Sequence, residues 1–374
     1  MGAIKKITVK GFKSIRELNE FELKPLNVIV GANGAGKSNL IQVFKMVLAM
    51  AQGRFQNFIL RNGGSDAFPF NGVKETPEIK IGFEFTPNSS HSEGSNYFRF
   101  NMTPSASETM MLYEERRYKD SNWKPYGSPA EESRLAEQKD ERSWYTLGNG
   151  VGHFVYDAIS HWMVYHFHDT SGTAPMRRSE IVEDNQKLRG NGSNIAPFLR
   201  NLKEFAPNSY EKIRNAIQLV MPFFDDFLLD IIFQGEAEKV KLMWKQKGTD
   251  YPMQPYHLSD GSIRFICLAT ALLQPNPPST IIIDEPELGL HPEAIGILAE
   301  LIAIAAKQTQ VIIATQSPQL LDNFGIDDII IARRDKGATT LERLKEDDYK
   351  VWLEDYSVGE LWSHDIIHGG TNHE

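Results

Sequence analysis

With 374 residues, 40 Lys and Arg against 49 Asp and Glu, and a formal charge of −9, the chain fits one large interrupted α/β domain or about two to three average domains, and it lacks a general basic coat for nucleic acid. Its one cysteine, Cys267, excludes an intrachain disulfide and lies in an apolar helical stretch, as expected of a core residue in a cytoplasmic protein. No apolar run approaches the roughly 20 residues that cross a bilayer, and MGAIKKITVKGF alternates as a strand does, so neither an export signal nor a membrane anchor is expected.

Residues 3 to 30 read as two strands and a turn, with Ile7 and Val9 alternating with Thr8 and Lys10 in the first and Leu26 to Val30 forming the second. The second strand feeds GANGAGKS at 31 to 38, which matches G-x-x-x-x-G-K-[ST] at every fixed position. Gly31, Gly34 and Gly36 leave this loop free of side chains and able to take φ > 0, so backbone N–H groups can close around a phosphate at a helix N-terminus. Asn33, Gly34, Ala35, Gly36, Lys37, Ser38 and Asn39 are the expected nucleotide contacts, with Lys37 on the β- and γ-phosphates and Ser38 on Mg²⁺. ATP and Mg²⁺ are therefore the expected ligands. A helix from Asn39 to Gln52 follows, apolar over much of its circumference, and stops at Gly53.

Ile79, Ile81, Phe83 and Phe85 alternate with polar positions, and strand-like pieces recur near Phe98 and Leu112, which predicts an antiparallel sheet beside the nucleotide core. Lys119 to Arg142 is polar, with Pro125, Gly127 and Pro129, and reads as an exposed loop or insertion. His161 to Phe167 reads as a buried strand ending in His168, Asp169 and Thr170. Alternation splits His166 and His168 from Asp169 and no Cys joins them, so strand-end polar residues fit better than a metal site. Residues 176 to 221 read as a helical insertion punctuated by Gly190 and Gly192, with Asn194 as an N-cap. Its basic residues, Arg177 and Arg178 among them, suit a solvated helix face. Strands are expected again at Phe227 to Phe233 and around Val240, Leu242 and Trp244.

STIIIDE at 279 to 285 is an apolar strand ending in two carboxylates, followed by a helix from Pro292 to Ala306 and a strand from Val311 to Ala314, a βαβ unit. Asp284 is placed to share Mg²⁺ with Ser38, while Glu285 projects differently and can orient or deprotonate the attacking water. LSDGS at 258 to 262 opens an apolar helix running to about Leu273, with Ser259 as N-cap. Ser259 and the N–H groups at Gly261 have no evident role within the chain once residues 31 to 38 enclose the phosphates. A second phosphate cradle supplied to another copy explains them.

GANGAGKSNL at 31 to 40, LSDGS, IIIDEPELGLHP at 281 to 292, ATQSPQLLD at 314 to 322 and the weaker YSVGELW at 356 to 362 together resemble the ABC-type ATPases of the SMC and RecF class. The resemblance is closer to the stand-alone, AAA_21-like bacterial ATPases related to the OLD nucleases. It implies an α/β P-loop ATPase head with a mixed sheet, an antiparallel β subdomain and a helical insertion. The parts are residues 1–175 with the phosphate loop, 176–221 as a lid or partner arm, and 222–374 with signature, acidic strand and switch. LSDGS becomes the signature, Leu288 to Pro292 the dimer-interface segment, and Gln316 stands at the switch position where many relatives carry His. The segment from His166 to Thr170 is the equivalent of the Q-loop. No TOPRIM nuclease domain fits in the roughly forty residues after a last core strand at Asp328 to Ala332. The function implied is ATP hydrolysis by a homodimeric switch coupled to DNA or to a separate nuclease or effector, in DNA maintenance or antiphage defence. A nucleotide-gated scaffold with negligible hydrolysis and the ATPase of a membrane transporter remain open as alternatives.

Overall fold

The computed structural model describes residues 2–87, 94–105, 107–142 and 150–367. β1 (Ile4–Phe12) turns through Lys13, at φ 50°, into β2 (Ile15–Glu22), and β3 (Leu26–Val30) leads to the loop before α1 (Lys37–Ala51). Three strands thus precede the loop where two were expected. β2 was hidden because only Ile15 and Leu18 of IRELNEFE are buried, a spacing of three, and its pairing with β1 shifts register between Ile7 and Val9. Next come α2 (Phe55–Arg61), β4 (Ile79–Phe85), β5 (Asn96–Pro104), β6 (Met110–Tyr118), β7 (Lys124–Pro125), α3 (Val151–Ser160), β8 (Trp162–Tyr165) and β9 (Glu180–Ile181).

The middle of the chain holds α4 (Ile195–Phe205), α5 (Pro207–Val220), β10 (Phe224–Leu228), β11 (Ile231–Gln234), β12 (Ala237–Val240) and β13 (Met243–Gln246). Then follow α6 (Asp260–Leu273), β14 (Thr280–Asp284), α7 (Pro292–Ala306), β15 (Gln310–Thr315), α8 (Pro318–Leu321), β16 (Ile329–Asp335), β17 (Ala338–Arg343), α9 (Glu346–Tyr349) and α10 (Val358–Ser363). None of the described helices is long and apolar enough to cross a membrane.

A six-stranded sheet in the order β17-β16-β3-β15-β14-β8 divides the molecule. It is parallel except for β17, an edge strand beyond the expected last one, whose ATTLER pattern is mostly polar. Strand alternation sends Val28, Ile283 and Ile313 into one core and Ile29, Ile282 and Ile312 into another, so the strands read as unbroken apolar runs. The second core is shared with a six-stranded antiparallel sheet, β2-β1-β4-β5-β6-β7, as the pattern of residues 79 to 112 predicts. Phe83 meets Phe44 of α1 and Trp162 of β8 at ring centroid distances of 6.4 and 5.5 Å, which fixes that sheet against the parallel one.

The polar stretch 119–142 is less exposed than its composition suggests. Ser133 and Leu135 are buried, and the Glu132 carboxylate accepts the Phe55 N–H at 2.9 Å. Residues 176–194 are also mostly non-helical. Asn194 stands at the start of α4, yet its side chain accepts from Arg189 N–H and donates to the carbonyls of Asp184 and Lys187, all at 2.9 Å, tying down a loop instead of capping the helix. α4 and α5 bury Phe198, Leu199, Ile213 and Ile217 in the core shared with α6 and α7, so they form a packed pair and not a projecting arm. Asp230 interrupts the expected strand 227–233, which falls into two small sheets, β10-β13 and β11-β12-β9. Cys267 is core, its thiol pushed up to about 12 by burial.

Candidate nucleotide site

Strand order brings the site together. The carboxyl ends of β3, β15 and β14 lie side by side with β15 in the middle, so the residue after β15 stands between the phosphate loop and the acidic pair. That residue is Gln316, whose amide donates to Asn33 Oδ1 and to Glu285 Oε1, each at 2.8 Å. Glu285 takes φ 46° while its N–H donates to the Ala314 carbonyl at 2.8 Å, a sharp turn directly after β14.

Gly34 and Gly36 take φ of 80° and 102°, and a Cβ on Gly36 would stand 2.0 Å from Thr339 Oγ1. Ser14, in the turn before β2, and Thr339, in β17, share a hydroxyl hydrogen bond at 2.7 Å, and Thr339 donates to the Ala35 carbonyl at 2.9 Å. Asn39 donates its amide to Ser14 Oγ at 2.6 Å, so its side chain braces the loop floor. Asn33, Gly34 and Ser38 are exposed on the loop surface. Lys37 is buried and its ammonium donates to the carbonyls of Gly31 and Ala32. Burial lowers its pKa, against the pull of Glu285, Asp284 and Glu287.

Burial, and then the neighbouring Glu285, raise the Asp284 carboxyl above its ordinary value. Ser38 and Asp284 offer hard oxygen donors in a crowded acidic setting, which suits Mg²⁺, whose positive charge would relieve that crowding. His168 Nε2 lies 3.0 Å from the Asp284 carbonyl, which places the segment 166–170 beside the acidic strand.

Residues 26–322, from β3 past the switch position, match AAA_21, described as "AAA domain, putative AbiEii toxin, Type IV TA system". The chain belongs to the AAA_21 family. No curated protein matches it. Among solved structures, an Smc head bound to the C-winged helix domain of ScpA aligns at TM-score 0.61 and 16% identity, over 93% of this chain and 99% of that one. An Smc head with an extended coiled coil, bound to the C-terminal domain of ScpA derived from Pyrococcus furiosus, aligns at TM-score 0.56 and 16% identity, over 95% and 99%. At that identity the likeness establishes the fold alone, that of an Smc head domain.

In this AAA_21 protein the signature segment is tied to the acidic loop. Ser259 caps α6 by accepting Ser262 N–H at 3.1 Å, and its exposed hydroxyl lies 2.8 Å from that of Ser262. Gly261 packs closely against the acidic loop: a Cβ there would stand 2.4 Å from the Gly289 carbonyl oxygen. Arg264 reinforces the junction, donating to the carbonyls of Phe167 at 2.9 Å, His168 at 3.2 Å and Leu288.

Sequence reading passed over Glu287. Its Oε1 accepts the Thr315 hydroxyl at 2.6 Å and Gln316 N–H at 3.3 Å, so it orients the switch residue. Its Oε2 is buried with no hydrogen-bond partner among the described residues, and burial raises its pKa. The signal was present in the spacing, a third carboxylate two residues beyond Glu285. Arg177, expected on a solvated face, is buried and grips the Thr170, Pro255 and Leu258 carbonyls and Asp260.

Proposed function

We propose that this AAA_21 protein hydrolyses ATP as a head-to-tail pair, each copy laying Ser259 and the Gly261 end of α6 over the nucleotide on the other copy's phosphate loop. The observation that carries the reading is the Gln316 amide bridging Asn33 on the loop and Glu285 at the acidic turn, because it joins the binding and hydrolytic halves through one side chain. Backbone N–H groups of residues 33 to 38 and the Lys37 ammonium hold the phosphates. Mg²⁺, held by Ser38 and Asp284, supplies charge neutralisation at the phosphates. Glu285 accepts a proton from the attacking water, Gln316 aligns that water by hydrogen bonding, and Glu287 fixes the Gln316 backbone. Gln316 titrates nowhere near neutrality, so positioning and not proton transfer is its part.

The exposed N-cap of α6 supports the paired arrangement, since it presents hydroxyls and a helix N-terminus outward. The toxin description of the family and the ScpA-bound Smc heads support coupling of the ATP cycle to a separate effector protein. Mixing two inactive variants tests the pair. Lys37→Ala retains the α6 end and Ser259→Arg retains the phosphate loop, so a mixture should recover phosphate release that neither shows alone. No recovery, together with a monomer in analytical ultracentrifugation of Glu285→Gln with ATP, would refute the pair.

A further inference from the structure

We propose that the hollow at the far end of α1 from the phosphate loop binds a small molecule carrying a phosphate or diphosphate group. Ala51 and Gln52, at the end of α1, line a cavity of about 600 Å³ together with the short helical turn Leu135–Asp140 and the last turns of α3. A cavity of that size takes a small ligand. The 15 residues of α1 span about 22 Å, so the hollow is a place apart from the nucleotide site. Its cations come from separate parts of the chain: Arg54 precedes α2, Lys139 lies in the helical turn, and Lys187 arrives from the loop after β9. None of the three has an ion pair among the described residues. Lys74 and Lys336 have none either, but those stand on exposed turns, whereas Arg54, Lys139 and Lys187 converge on one concavity.

The other polar groups of the hollow are held ready and left open. The rings of His153 and His161 are anchored at Nδ1 by the carbonyls of Lys139 and, at 2.7 Å, Asp157, which leaves each Nε2 without a protein partner among the described residues. The Tyr156 hydroxyl also has no hydrogen-bond partner among them. Asp157 is the one acid among the lining residues, and its carboxylate lies 3.4 Å from His161 Nδ1. Glu137 and Asp140, on the helical turn, are exposed and outside the lining. α1 and α3 both end at the hollow, and their carboxyl ends draw cations towards it. Two such ends amount to about one negative charge in all and Asp157 adds another, so three full cations leave the hollow positive on a chain of net −9.

The occupant follows from this set of donors. A phosphate carries several acceptor oxygens and a full charge or more on one compact group, so it can take Arg54, Lys139 and Lys187 together in charge-assisted hydrogen bonds. A single carboxylate, with two oxygens and one charge, leaves a cation over. A metal ion would meet those cations, and no cluster of metal-binding side chains occurs among the described residues. An extended polymer calls for charge strung along a groove, whereas these cations surround a concavity.

Magnetic resonance of the imidazoles, with inorganic pyrophosphate as the probe and the Lys37→Ala chain as the target so that the loop competes less, tests the site. The signals of His153 and His161 should shift saturably, while that of His168, beside Asp284, stays. On the same background Lys139→Glu with Lys187→Glu should weaken binding at least about tenfold. Lys74→Glu with Lys336→Glu, which changes the net charge equally, should weaken it less than about twofold. Circular dichroism checks that both pairs fold. A shift at His168 alone, no saturable shift, or equal weakening by the two double variants would overturn the site. So would oligo-dT or polyglutamate that displaces pyrophosphate as effectively, charge for charge, as ribose 5-phosphate does. Tighter binding of ribose 5-phosphate than of inorganic phosphate supports an organic ester as the ligand, and the reverse supports the free ion.

Discussion

Along the outer face of the antiparallel sheet, Lys6, Lys80 and Arg99 are each paired with a carboxylate within 3.0 Å, whereas at the carboxyl end of the parallel sheet Lys37 bonds to loop carbonyls and Asp284, Glu285 and Glu287 gather without an ion pair among the described residues. In the first region these three cations are answered by nearby carboxylates, whereas Arg117 on the same face lies over the rings of Tyr97 and Trp123. In the second, burial works against the ionised forms of Asp284 and Glu287, and the fold tolerates that cost where a ligand restores the balance. Crowded like charge at strand ends is thus a better guide to the site than the density of charge.

Lys37→Ala should break the contrast most severely. Removing the loop's ammonium is expected to abolish most ATP binding, measured by titration calorimetry, with the circular dichroism spectrum unchanged. Wild-type affinity would mean that the loop is not the phosphate cradle. Glu285→Gln comes next: nucleotide should still bind while phosphate release falls by about 10² to 10⁴-fold, and hydrolysis at the parental rate would move the base elsewhere.

Glu114 sharpens the comparison from inside the antiparallel sheet, where a carboxyl is buried without a cation. It accepts the Ser133 hydroxyl and the Arg134 N–H at 2.7 Å each, yet burial raises it from 4.5 to about 7. Between those values the folded chain holds a proton that the unfolded chain has lost, so stability should fall as pH rises through that window, by about 3 kcal/mol in all, and level off above it. Melting temperatures from about pH 5 to about pH 8 should show this decline in wild type and a flatter profile in Glu114→Gln. An identical profile in both would remove Glu114 as its source. The smallest effect belongs to the paired surface: Lys80→Ala should alter chemical-denaturation stability by less than about 1 kcal/mol.

What was legible in the sequence follows the same division. β14 and β15 are buried on both faces, which leaves an unbroken apolar run, and α7 begins at Pro292 and ends at Ala306 as its pattern indicates. β2 and β17 escaped because they are edge strands with one wet face and irregular spacing. With them went the loop floor, since Ser14 and Thr339 are 325 positions apart and nothing local announces their contact. The helical reading of 176–194 failed where Asn194 spends its side chain on a loop, and the buried Arg177 was masked by the many other basic residues around it.

The contact between Gly261 and the Gly289 carbonyl leaves no clearance for even a methyl group. Two segments so close, with Arg264 bonded across them, are expected to move as one lever whose far arm is the turn at Glu285. A push on the exposed tip of α6 therefore has a short path to Glu285, the carboxylate proposed as the base. Gly261→Ala would wedge the lever apart at its fulcrum, leaving each arm individually sound and the two out of step.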